Sequence, residues 1–169
     1  MTAPAHHKEF VSHIRTLVPD HFRAANYRDD HGKRPVMIGE FGSASNRFYS
    51  TIGVCDQSLH IPPGRYELAA IGNLSWLPNA LVSSIYWLKE RSIEEWPMVC
   101  EDVVRCNSKS TYRHMAYVPS SYAHQVSSGA PISWLLGFPI SDTDIGISLN
   151  EASARTAAIF PAWLAKSDA

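Results

Sequence analysis

Ile132-Ser133-Trp134-Leu135-Leu136-Gly137-Phe138-Pro139-Ile140-Ser141-Asp142-Thr143-Asp144-Ile145 is the stretch that decides the fold. From Ile132 to Phe138 it is almost continuously apolar, which reads as a strand buried on both faces. Ser141 followed three residues later by Asp144 is an acidic variant of the capping box that opens helices. Ile140 and Ile145 fall on the two positions of a hydrophobic staple around it. Ile145 and Leu149 are expected to continue inward. A last helical stretch then runs from Glu151 to about Phe160, where Pro161 interrupts it.

Upstream, Pro62-Pro63-Gly64 is a firm break that leads into Arg65 to Ile71, where Tyr66, Leu68 and Ala70 alternate with Glu67 and Ala69 as in a strand. Asn79 to Arg91 reads as a helix with Leu81, Ile85 and Leu88 as its inner stripe and Pro78 in its first turn, where proline costs no hydrogen bond. Two strands are expected over Pro97 to Cys106 and Arg113 to Val118, joined by the polar loop Asn107 to Thr111. Ser120 to Pro131 reads as another loop. Nearer the start, Pro35 to Phe41 and Arg47 to Cys55 form a hairpin across the five residues Gly42 to Asn46. Asp20 to Lys33 is polar and holds Asp29-Asp30-His31-Gly32, a loop signature. His6 to Val18 carries Phe10, Ile14, Leu17 and Val18 at helical spacing and is closed by Pro19. The order argues an α+β class: a mixed or largely antiparallel sheet of about six strands, flanked by helices, in one domain spanning residues 1–169. Arg65 to Ile71, Pro97 to Arg105 and Ile132 to Phe138 should share that sheet under the helix from Asn79.

Composition narrows the function classes. Charged residues make up 18% of the 169, against about 25% in an ordinary domain. The net charge is −1, and the nearest approach to a basic run, Lys33-Arg34, stands beside Asp29 and Asp30. A phosphate-neutralising surface for nucleic acid is therefore not expected. Met1 to Phe10 lacks the apolar core of a signal peptide, and no stretch approaches the roughly 20 apolar residues of a membrane span. Cys55, Cys100 and Cys106 are an odd number without a disulfide-scaffold spacing, which suits free thiols in the cytoplasm.

Each catalytic motif has a plainer reading. Asp142-Thr143-Asp144 matches a three-residue cation pattern, but carboxylates in a first helical turn favour its positive end and account for both acids. Cys100 and Cys106, six apart with His60, His114 and His124 elsewhere, do not have the paired spacing of structural zinc. Ser120, Ser121, Ser127 and Ser128 share a loop with His124, the one place where a hydroxyl and an imidazole suggest a hydrolase. The strained G-x-S-x-G elbow is absent. Glu94-Glu95 and Glu101-Asp102 are adjacent pairs whose side chains diverge on a strand. No catalytic set, cofactor or metal centre is expected.

Pro63-Gly64-Arg65-Tyr66-Glu67-Leu68, Trp76-Leu77-Pro78-Asn79-Ala80-Leu81, Trp87-Leu88 and Trp134 to Ile145 together resemble the suppressor-of-fused domain. Phe48-Tyr49-Ser50-Thr51-Ile52-Gly53 is similar to that family's earlier strand, so the resemblance covers roughly Arg34 to Glu151. It implies a protein-binding module with no catalytic residues to carry over. Short bacterial members of the family include immunity proteins that neutralise toxins of contact-dependent or polymorphic systems. The function expected from the resemblance is therefore binding of a protein partner, a toxin domain above all. An intracellular adaptor for a peptide or regulatory protein is the alternative. Partner contacts are expected on the loops Asn107 to Thr111 and Ser120 to Gln125, with Tyr112, Tyr122 and His124 as candidates, because loops on a rigid sheet carry recognition.

Overall fold

A computed structural model describes residues 3–28, 35–43, 45–104 and 110–165. The elements in chain order are α1 (Ala5–Leu17), β1 (Phe22–Tyr27), β2 (Val36–Ser43), β3 (Asn46–Ile52), β4 (Tyr66–Ile71), α2 (Leu77–Glu90), β5 (Met98–Cys100), β6 (His114–His124), β7 (Ile132–Ile140), α3 (Leu149–Ile159) and α4 (Ala162–Ala165). Two short 3-10 turns, Val54–Asp56 and Asp142–Asp144, stand between them. The strands form one sheet in the order β1-β2-β3-β4-β7-β6-β5. Every neighbouring pair is antiparallel except β4 and β7, which run parallel at the centre. The fold is α+β, and its sheet has seven described strands rather than about six.

The added strand is β1, in a segment whose polarity reads as loop. It pairs only with β2, at the sheet's edge, and buries little, so its sequence carries no clear alternation. The hairpin between β2 and β3 is tighter than five residues, with Ser43 opposite Asn46. Asp29 to Gly32 lie outside the described residues, as do Cys106 and Asn107 to Lys109. The strand expected over Pro97 to Cys106 is confined to Met98–Cys100, and Cys100 is a fully buried core residue.

α2 covers one face of the sheet. Its Leu77, Leu81, Ile85 and Leu88 pack with Leu68 and Ala70 of β4, Met98 and Cys100 of β5 and Leu135 of β7. Each of those leucine or isoleucine side chains contributes about 1.5–3 kcal/mol by leaving water. The opposite face carries Ala69, Trp134 and Leu136, covered by Phe10 and Ile14 of α1 and by Phe160 and Leu164. Towards β6 on the same face, Ala116, Val118, Phe138 and Ile140 receive Ala152 of α3. Thus β7 is buried on both sides, as its apolar run requires. Gly137 is part of that packing: a Cβ there would lie 2.4 Å from Cε1 of Tyr117, its cross-strand partner.

Ser141 and Asp144 form the capping box, but it opens a three-residue 3-10 turn rather than a long helix. The Ser141 amide and hydroxyl both donate to Oδ2 of Asp144, at 3.2 and 2.8 Å. Ile145 and Leu149 are exposed, 40% and 43%, so neither the staple nor the inward continuation forms. The chain buries Ile147 instead and starts α3 afresh, with Ser148 Oγ accepting from the Glu151 amide.

Candidate functional site

Two described polar clusters lie along α1. His6, Phe10, His13 and Ile14 fall on one side of this helix by its 3.6-residue repeat. Phe10 and Ile14 are buried, while His6 and His13 are half-buried at the two ends of the apolar stripe.

At the first end, His6 Nε2 and His7 Nε2 each lie 2.7 Å from Oδ2 of Asp56, in the turn after β3. Arg65 donates to the other oxygen of Asp56, at 2.8 Å. Burial pushes the Asp56 carboxyl up, but the hydrogen bonds from His6, Arg65 and His7 outweigh it and hold the group well below the usual range. Donor atoms of His6, His7, Cys55 and Asp56 all lie within 4.8 Å of one another. Burial, reinforced by Glu67, pushes the Cys55 thiol up.

Glu67 shapes this turn. It is 1% exposed on β4, and its carboxylate accepts from Thr51 Oγ1 at 2.5 Å, Gly53 N at 2.8 Å, and Val54 N and Cys55 N at 3.2 Å. Burial still raises its pKa, against the pull of the hydrogen bonds from Thr51, Cys55 and Gly53. Gly53 has φ +90°, and a Cβ there would stand 2.7 Å from the His7 ring. The buried carboxylate thus orders the turn, and the glycine lets the helix approach it.

At the other end of the stripe, the Tyr122 hydroxyl lies 2.5 Å from His13 Nε2, and the Tyr122 ring stacks on Trp134, with centroids 5.8 Å apart. The His13 and His124 rings stack at 3.8 Å and 5°. Burial lowers the pKa of both imidazoles; His124 lowers that of His13 further, and Glu9 opposes the shift at His124. Neutral rings can therefore lie face to face near pH 7. Glu9 hydrogen-bonds the amide and hydroxyl of Ser127 between the two ends.

Tyr122 and His124, expected on a loop, belong to β6. Between Pro119 and Ala123 the register against β7 slips, four residues on β6 spanning two from Leu135 to Ser133. This bulge re-aims the Tyr122 side chain. Ser133 Oγ lies at donor distance from the carbonyls of both Ser120 and Tyr122, 2.9 and 2.8 Å. Ser120 Oγ donates to the Leu164 carbonyl and accepts from the Tyr122 amide, while Ser127 is held by Glu9. Among the described residues none of the four serine hydroxyls hydrogen-bonds His124. Tyr112 is 41% exposed just before β6, roughly 30 Å from Tyr122 by strand rise. The structure brings Tyr122 and His124 together and leaves Tyr112 at the far end.

Asp142 and Asp144 each engage a different side chain. Asp142 pairs with His114 at 2.8 Å, and Asp144 with Arg155 at 3.0 Å. His114 also accepts the Asp102 amide on Nδ1, so both ring nitrogens are engaged. The His6–His7–Asp56 cluster has no signature in the sequence, since its partners stand 49 and 50 residues apart. A comparison of this chain with family models, curated proteins and solved structures finds no match.

Proposed function

We propose that this chain is a protein-binding domain of suppressor-of-fused type, and that its partner is a toxin domain which it neutralises. The observation that carries the reading is the Tyr122–His13–His124 group, set on a β-bulge at the end of a rigid sheet. Its rings are half-exposed, yet each is already held by a stack or hydrogen bond, so little side-chain freedom remains to be lost on binding. Aromatic and imidazole faces of this kind offer large contact area at small entropic cost. The segments that resemble the suppressor-of-fused domain make up β3, β4, α2 and β7, the frame on which this group stands.

Site-specific photocrosslinking in the native cell tests the proposal. A crosslinkable residue at position 124 should capture one defined protein, whereas position 90, on the exposed end of α2, should not. Equal capture from both positions, or none from either, would overturn it.

A further inference from the structure

We propose that His6, His7, Asp56 and Cys55 form a binding site for a first-row transition-metal dication, with Zn2+ the best match. Neighbouring residues on a helix point about 100° apart and do not normally share a contact. Here both Nε2 atoms nevertheless reach the same carboxylate oxygen, each at 2.7 Å. Two imidazoles, a carboxylate oxygen and a thiol make the borderline-soft ligand set that zinc takes. A tetrahedral ion with bonds of about 2.0–2.1 Å separates nitrogen and oxygen ligands by about 3.3 Å. The two 2.7 Å pairs must open by about half an ångström, and pairs up to 4.8 Å apart must close by about an ångström, for the present cluster to become a coordination shell. On binding, each imidazole keeps one proton, on Nδ1, and gives its Nε2 lone pair to the metal, while the Cys55 thiol releases its proton to solvent and binds as thiolate.

The surroundings suit that role. Arg65 already engages Oδ1 of Asp56, which leaves Oδ2 facing the histidines and fixes the carboxylate's orientation. Glu67 holds the amides of Gly53, Val54 and Cys55, so the turn presenting two ligands is ordered without the ion. His6 and His7 side chains are 17% and 16% exposed and Asp56 36%, so an ion can enter from solvent. The bound ion would tie the first turn of α1 to the turn after β3.

The test is calorimetry on the full chain freed of metal by a chelator, titrated with ZnCl2 and with MgCl2 as the contrast. One Zn2+ per chain is expected, with no Mg2+ binding, and thermal unfolding should shift upward with Zn2+. His7→Ala and Asp56→Asn should each weaken Zn2+ binding more than tenfold, whereas His124→Ala should leave it unchanged. Should Asp56→Asn fail to fold, His6→Gln on the exposed helix end serves in its place. Co2+ should give a thiolate charge-transfer band that Cys55→Ser abolishes. No Zn2+ binding below about 1 mM, or undiminished binding in His7→Ala, overturns the site. A Co2+ thiolate band that survives Cys55→Ser overturns the assignment of that ligand.

Discussion

The hydroxyl of Tyr122, on the bulge of β6, lies 2.5 Å from Nε2 of His13 on α1, joining residues 109 positions apart. Its ring rests on Trp134, within the core under α1. Tyr122 is thus both a half-exposed contact residue and a partial wall of the core. Tyr122→Phe removes only the hydrogen bond and should cost about 0.5–1.5 kcal/mol. Tyr122→Ala also opens a void over Trp134 and should cost about 2 kcal/mol or more. Urea denaturation checks both; a neutral Tyr122→Ala would show that the ring contributes no packing. Tyr122→Ala is accordingly a poor probe of binding, and His124 is the better one.

The stacked imidazoles give the fold a pH dependence. Both His13 and His124 have pKa values lowered from 6.5 in the fold. Between the folded and unfolded values the unfolded chain binds more protons, so stability rises with pH. The contribution is complete above about 6.5 and is lost as pH falls through the lower folded values. Denaturant midpoints measured between pH 7.5 and 5.5 (about one unit either side of the ordinary histidine value) should fall with acidification. The double variant His13→Gln/His124→Gln should flatten that slope. An unchanged slope in the double variant would place the dependence elsewhere.

Glu67 is the most demanding polar residue of the core, with four donors converging on its carboxylate. Glu67→Gln turns one acceptor oxygen into a donor facing other donors. Each buried donor left without a partner costs about 1–3 kcal/mol. A loss of about 2 kcal/mol or more is expected in chemical denaturation, and the Cys55 amide should gain hydrogen exchange. An unchanged midpoint would mean that water or a shifted turn replaces the carboxylate.

Much of the frame is legible in the sequence. The apolar run of β7 and the Leu81-Ile85-Leu88 stripe of α2 each state a period and a burial that nothing else in the chain contradicts; the alternation of β4 marks a strand but not that its Glu67 and Ala69 face is buried as well. Sheet edges and turns are less legible. β1 is missed because an edge strand can satisfy its backbone with few apolar side chains, and the end of β6 because a bulge rich in serine reads as loop. Ile145 is misplaced because the staple pattern is local, while the actual course into Ile147 depends on Ala152 and Phe138. Tyr122 and His124 could be singled out from one segment. Their partner His13, and the cluster of His6, His7 and Asp56, depend on α1 docking far from its neighbours in sequence.

The weight of each partner in the Ser141 capping box can be measured. With Asp144 accepting from the Ser141 amide and hydroxyl and from Arg155, the carboxylate is the hub and the hydroxyl one spoke. Asp144→Ala should therefore cost more than Ser141→Ala, about 1 kcal/mol against about 0.5, reversing the order an N-cap serine would give. Equal effects in guanidinium denaturation, or a larger one for Ser141→Ala, would make the hydroxyl rather than the carboxylate the hub.

We propose that this chain silences a toxin by holding it against the Tyr122–His124 surface. Titrating the toxic activity of the protein captured at position 124 with purified chain tests it most directly. The account predicts inhibition that is complete near one equivalent. It also predicts affinity weaker by about 1 kcal/mol or more in His124→Ala, a typical loss for a contact residue that matters, with thermal stability little changed. Full toxic activity in the presence of excess chain would contradict it.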